Sequence, residues 1–174
     1  NGGLRFMWAF SQGPQTRISM PSVMTGRYFS ELERTPDVWA TIHPENKLLA
    51  EYLSESGYQT GGVPCHRFFI RGYGLDQGFD DWDLSIVERH GQDMPKVVTG
   101  EAVADRAIYW LQKYAKGDKP FFLWLHFFDV HHQYLPHVDH DFGESEIDLY
   151  DGEIQYTDAQ IGRVLDWLTR NSFM

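Results

Sequence analysis

Between Phe121 and Val130 the chain reads FFLWLHFFDV, a run broken only by His126 and Asp129. It is too short to cross a bilayer, which takes roughly 20 apolar residues in a helix. As a strand it is apolar on both faces. A strand of that kind sits in a sheet covered on both sides, and such sheets are largely parallel with helices packed over them. The run therefore predicts an α/β protein with layered α/β/α architecture around a mainly parallel sheet.

The rest of the chain fits that expectation. Leu4 to Phe10 (LRFMWAF) reads as an aromatic-rich strand, and Ser11 to Gln15 as a Gly- and Pro-containing turn. Ser19 to Met24 reads as a short helix with Pro21 in its first turn and Gly26 as its stop. Pro44 to Ser56 reads as a helix with Leu48, Leu49, Tyr52 and Leu53 on one face and Gly57 as its C-cap. Tyr58 to Cys65 reads as a strand, and Arg71 to Asp83, with Gly72, Gly74 and Gly78, as a structured loop. Thr99 is a good N-cap for a helix to about Lys116, in which Ala104, Ile108, Leu111 and Ala115 recur at helical spacing. A last helix is expected from about Asp151 to Leu168, with Ile154, Ile161, Val164, Leu165 and Leu168 inward. The acidic run Glu144 to Asp151 lacks the alternating ligands of a calcium loop and reads as solvated. Strands alternating with helices imply right-handed crossovers, and ligands then bind beyond the carboxyl ends of the strands. The turn around Thr16 and the loop after His126 fall there.

The formal charge of -10 over 174 residues excludes a broad basic surface for nucleic acid. It also means that any anion must be held by a local device. One such device is a hydroxyl at a turn leading into a helix, where unpaired N–H groups favour an anion or an alkoxide. Thr16 and Ser19 both qualify, and either is equally readable as a plain N-cap. A second device is the histidine group His126, His131 and His132, at and beyond the end of the apolar strand. A loop histidine beside an anion can donate to developing charge or protonate a leaving oxygen; a packed strand residue is the alternative for His126. The single cysteine, Cys65, excludes an intrachain disulfide, leaves the compartment open, and reads as a small packed residue. The first residues lack the cationic start and apolar stretch of a signal peptide.

Several segments, in chain order, resemble the sulfatase family of the alkaline phosphatase superfamily. Thr16 to Arg27 (TRISMPSVMTGR) resembles the nucleophile motif, in which Cys or Ser, x, Pro, Ser leads to Thr-Gly-Arg. Counting back from Thr25-Gly26-Arg27 puts Thr16 on the nucleophile; reading Ser19-x-Pro21-Ser22 instead puts Ser19 there. The second register has Val23 where the motif needs Arg, and its Thr-Gly comes too early. The spacing Thr16, Ser19, Pro21 also resembles phosphoethanolamine transferases, whose nucleophile is an unmodified Thr. The resemblance thus implies Thr16 as nucleophile and metal ligand, and a bias towards phosphate-type esters, since Thr cannot become formylglycine. Pro120 to Pro136 resembles the stretch in which a strand ends in His-x-x-Asp-x-His before Tyr and Pro, implying His131 as the substrate-contacting histidine and His126 as a second. Gly57 to Arg67 resembles a Gly-Tyr-x-Thr segment that continues, in sulfatases, into a sulfate-holding Lys and His. Here Cys65 and Arg67 stand on those two positions, leaving Arg67 or His66 as anion contacts. Arg27 closes the set. Leu75 to Asp80 and Tyr150 to Trp167 resemble structural stretches of the family.

The resemblance implies an alkaline-phosphatase-like fold, incomplete here, with residues 1–174 as part of one sulfatase-like catalytic domain. The metal-ligand strand before the nucleophile and the metal-ligand half downstream are absent from it, so the chain alone is expected to be inactive. The implied function is cleavage of a small-molecule sulfate or phosphate ester by a hydroxyl nucleophile with a divalent metal (Ca, Mg, Mn or Zn) in the full-length protein. A phosphoethanolamine or phosphoglycerol transferase and a non-catalytic anion-binding domain are the alternatives. No membrane segment is expected within the chain.

Overall fold

The computed structural model describes residues 4, 6–91 and 97–174. Three parallel strands, β1 (Gln59–Val63), β2 (Asp81–Trp82) and β3 (Phe121–Leu125), form a sheet in the order β2-β1-β3. Among the described residues five α-helices accompany it: α1 (Thr16–Thr25), α2 (Leu49–Glu55), α3 (Ser85–His90), α4 (Gly100–Tyr114) and α5 (Glu146–Arg170).

The central strand is built from glycine where it is most crowded. A Cβ on Gly61 would lie 2.3 Å from the Trp110 indole, and one on Gly62 would lie 2.3 Å from the Trp82 ring. Successive residues of a strand face opposite sides. Gly61 therefore makes room for α4 on one face, and Gly62 for an aromatic layer on the other. That second layer gathers Met24 of α1, Leu48, Phe68, Phe69, Leu75 and Trp82, with Trp124 of β3 against it. The α4 face gathers Ala104, Ala107, Trp110 and Leu111 with Val164 of α5, and takes Phe121, Leu123 and Leu125 of β3. β3 is apolar throughout because both its faces are covered. Its residues are nevertheless only half-buried, because among the described residues it pairs on one side alone, with β1.

A clasp holds the strand ends. Thr60 Oγ1 donates to Gly78 O (2.7 Å) and accepts from Asp80 N–H (2.9 Å), and Asp80 Oδ2 accepts from Thr60 N–H (3.0 Å). The loop expected over Arg71 to Asp83 is thereby ordered, with Gly72, Gly74 and Gly78 all at positive φ, and it closes into β2.

Several expectations need correction. Leu4 and Phe6 to Phe10 form no strand, and Leu4, Phe6, Met7, Trp8 and Phe10 are exposed; among the described residues nothing pairs with them, and a strand needs a partner. Arg5 lies outside the described residues. α1 begins at Thr16, not Ser19, so Pro21 is inside it, and Gly26 caps it with φ 68°. The helix expected from Pro44 starts only at Leu49, because buried Asn46 accepts from Glu33 N–H and donates to Glu33 O and His43 O, holding a turn there. Leu49 and Tyr52 face outward. α3 was not expected. The acidic run is helical: Ser145 and Asp148 form a capping box, with Glu146 and Asp148 in the first turn, where carboxylates oppose the positive helix end. α5 buries Gly152, Glu153, Thr157 and Val164 and packs Leu168, whereas Ile154, Ile161 and Leu165 are exposed, so only part of the expected face is inward.

Candidate functional site

β1 and β3 run parallel with Val63 opposite Leu125, so the residues that follow each strand leave the sheet at the same edge. His126 N–H extends the ladder by donating to Val63 O (3.1 Å). His66 follows three residues after Val63, and the loop carrying His131 follows His126. The sheet thus brings His66, His126 and His131 into one group. Phe128 sits between two of them, its ring 5.0 Å from His66 and stacked 4.3 Å from His131.

The three imidazoles differ in what they offer. His126 packs among Phe69 (4.7 Å), Trp124 (5.7 Å) and Phe128 (6.2 Å), with Nδ1 buried and unpartnered. Burial, with repulsion from His66, pushes its pKa down to about 3. Burial, then repulsion from His131 and Arg67, pushes His66 down to about 4. Both are neutral near pH 7. His66 Nδ1 accepts the Phe68 N–H (3.1 Å), so its proton is on Nε2, which is a donor. His131 is exposed, and its Nδ1 lies 3.1 Å from His132 O. A carbonyl only accepts, so that Nδ1 carries a proton and Nε2 is the end available to take or give one. Arg67 follows His66 in a 3₁₀ turn (Arg67–Phe69) at the protein surface.

Thr16 is the first residue of α1. Its N-cap, Gln15, makes no side-chain cap, and the first turn has no acidic residue. Among the described residues no side-chain hydrogen bond engages the Thr16 hydroxyl. Ser19, its rival, is occupied: its Oγ donates back to Gln15 O (3.1 Å). The start of α1 is linked to the histidines through the loop after it. Arg17 donates to Val38 O (3.1 Å), and Trp39 lies 6.4 Å from His66 and 5.7 Å from Phe68. Arg27 stands beyond the other end of α1, about 15 Å away along a ten-residue helix. There it donates to Glu31 O (2.7 Å) and Asn46 Oδ1 (3.5 Å). Ser19 and Arg27 share a groove with Tyr28 and Glu31 that no described histidine lines. The structure therefore gathers His66, His126 and His131, with Arg67 beside His66, and leaves Arg27 outside.

Cys65 is fully buried, and burial lifts its thiol to about 12. It cannot replace the sulfate-holding Lys of the resembled motif, so anion contacts on that segment fall to His66 and Arg67. Among the described residues no hydrogen bond joins the Asp129 carboxylate to a histidine ring. Its carboxylate is buried and accepts from Thr99 N–H (2.7 Å) and Thr99 Oγ1 (3.1 Å) at the start of α4. Sequence reading missed Trp39 and Phe128 as walls of the site, although Phe128 lies inside the histidine motif. Among the described residues no group of three or more His, Cys, Asp or Glu side chains is arranged to hold a metal ion. Thr16 alone makes no such site, so the described residues by themselves do not fit a divalent metal. No helix among them is long and apolar enough to cross a membrane.

The fold agrees with what comparison with other proteins finds. Ps i-CgsB, solved with k-i-k-neocarrahexaose, superposes with a TM-score of 0.68 at 16% identity over 93% of this chain and 46% of that one. A protein in the alkaline phosphatase superfamily from Vibrio parahaemolyticus superposes with 0.63 at 19% identity, over 92% of this chain and 40% of that one. The lipoteichoic acid synthase LtaP from Listeria monocytogenes gives 0.60 at 16%, over 93% of this chain and 42% of that one. These likenesses show an alkaline-phosphatase-like fold, and the chain spans less than half the length of each structure. No curated protein matches the chain. The Sulfatase family model matches residues 1–173, and the chain belongs to the sulfatase family.

Proposed function

We propose that the protein containing this chain cleaves a small-molecule sulfate or phosphate ester, with Thr16 as nucleophile. The observation that carries the reading is the meeting of His66, Arg67 and His131 at the carboxyl edge of β1 and β3; the uncapped start of α1, whose Arg17 holds the loop that brings Trp39 to His66, supports Thr16 as its partner. In a chain of net charge -10 this reading gives an anion the open helix N–H groups of α1 and the Arg67 guanidinium. Thr16 Oγ1 gives its proton to His131 Nε2 and forms a bond to sulfur or phosphorus as the bond to the alcohol oxygen breaks, and that oxygen takes the proton back from the resulting imidazolium Nε2–H. His66 Nε2–H and Arg67 donate to the oxygens of the transferred group.

An unmodified Thr favours phosphate-type esters. The Thr16-x-x-Ser19-x-Pro21 spacing supports a second reading, transfer of a phosphoethanolamine or phosphoglycerol group to an acceptor other than water.

The test is turnover of aryl sulfate and aryl phosphate esters by the full-length protein and by its Thr16→Ala, Thr16→Ser and Ser19→Ala variants. Loss in Thr16→Ala with partial recovery in Thr16→Ser is expected, with a covalent adduct on the Thr16 peptide by mass spectrometry. Full activity in Thr16→Ala would end the assignment, and loss confined to Ser19→Ala would hand the role to Ser19. Turnover that requires an added alcohol acceptor would favour the transferase. Inactivity of the wild type on every ester would leave only an anion-binding domain.

A further inference from the structure

We infer that Glu153, buried in α5, is a positioning residue that fixes the loop bearing His131. The inference rests on His131 being the substrate-contacting histidine.

Three residues of α5 face the loop at helical spacing. Glu146 lies 3.7 Å from His132, Tyr150 packs 5.2 Å from Tyr134, and Glu153 Oε1 accepts the Leu135 N–H at 2.9 Å. Positions i, i+4 and i+7 share one side of a helix. The first pair is exposed on both partners and contributes little. Glu153 is different, at 2% exposure. It lines a small cavity with Asp129, His131, Gln133 and Leu135.

The loop needs such an anchor. At its start Asp129 is tied to Thr99, and the Asp129 carbonyl accepts the His131 N–H (2.8 Å). Gln133 then takes φ 68°, a left-handed conformation that a non-glycine residue holds only when its surroundings impose it. Leu135, two residues on, is where the Glu153 bond closes the segment. His131 is thus suspended between an aspartate on one side and a glutamate on the other, both buried.

The chemistry of Glu153 suits a structural acceptor more than a charge. Burial raises its pKa, the Leu135 and His131 main chain opposes this, and Asp129 adds repulsion. Its Oε2 is buried with no partner. Only the Oε1 lone pair is used, and a glutamine amide keeps that acceptor.

The experiment compares the full-length wild type with Glu153→Ala and Glu153→Gln. It follows kcat and KM on an aryl phosphate or sulfate ester, the His131 ring resonances by NMR, and amide exchange at Leu135. Expected are a protected Leu135 amide in the wild type and a kcat loss in Glu153→Ala of about 10- to 100-fold with little change in KM. A shifted His131 resonance should accompany that loss, and Glu153→Gln should recover most of the rate. The inference is overturned if wild-type Leu135 exchanges like an exposed loop amide, which requires no variant to fold. It is also overturned if Glu153→Ala leaves kcat and the His131 resonance unchanged, or if Glu153→Gln loses as much as Glu153→Ala. Unchanged turnover in His131→Ala would instead remove the functional role of His131, and the His131 resonance and Leu135 exchange would still decide whether Glu153 fixes the loop.

Discussion

The same substitution, Gly→Ala, is expected to act with opposite sign at two places in this chain. At Gly61 the new methyl would meet Trp110 Cε2 at 2.3 Å and Nε1 at 2.4 Å, at least about 1 Å inside ordinary van der Waals contact. Trp110 is 3% exposed and belongs to the layer where α4 meets α5, so the ring has no free direction in which to retreat. Overpacking of this kind costs about 1–3 kcal/mol. Reduced freedom of the unfolded chain returns roughly 0.5–1 kcal/mol. With the clash at the severe end, the net loss is about 2 kcal/mol, or about 4–8 °C in Tm for a chain of this size. Gly162 lies inside α5 with nothing within 4 Å of its added Cβ. There Gly→Ala should gain about 0.5–1 kcal/mol through helix propensity. Equilibrium denaturation followed by tryptophan fluorescence, with calorimetry for Tm, measures both. A Gly61→Ala protein as stable as wild type, or both variants shifting the same way, would refute the claim that the central strand is glycine in order to admit Trp110.

Asp129→Ala should cost about 3 kcal/mol, because hydrogen bonds to a charged acceptor contribute about 1.5–3 kcal/mol and the buried Thr99 N–H would be orphaned. Urea denaturation with amide exchange in the first turn of α4 checks it, and a loss below about 0.5 kcal/mol would refute the anchor. His66 and His126 have folded pKa values of about 4 and about 3, below the unfolded value near 6.5. Below pH 6.5 the unfolded chain binds protons that the folded chain refuses, so stability is full above that pH and declines as pH falls towards 4 and 3. His126→Phe should flatten this acid limb, as read from denaturant midpoints between pH 7 and 4. Cys65, buried with its thiol near 12, should not react with a disulfide reagent at pH 8 until the protein unfolds; rapid labelling of the native chain would contradict its burial.

What was legible in the sequence was what a single segment could state by itself. FFLWL is apolar at every position on either face, and a sheet covered on both sides accommodates that, so β3 and the parallel sheet followed from it. α4 was legible because Thr99 and the alanine-rich spacing agree. What could not be read depended on contacts between segments. Nothing in Leu4 to Phe10 distinguishes a paired strand from an unpaired one. Val164 and Leu168 pack inward as the periodicity of α5 implied, but Ile154, Ile161 and Leu165 mark an apolar stripe beside them that stays exposed, so periodicity placed only part of the buried side. His126 and His131 were legible as one motif, whereas His66 joins them only through the pairing of β1 with β3. Glu153 was not legible, because an acid on a helix reads as solvated until Leu135 is found opposite it.

The two histidines flanking Phe128 take their tautomers from main-chain atoms, a Phe68 N–H for one and a His132 carbonyl for the other. No side-chain substitution at residue 68 or 132, other than proline at 68, can remove those partners. The polarity of the pair, one ring giving a proton outward and one ready to accept, is therefore inherited with the shape of two loops and not with the identity of their residues. Divergence could exchange Phe68 or His132 without reversing it, whereas an insertion in either loop that left both histidines in place could erase it.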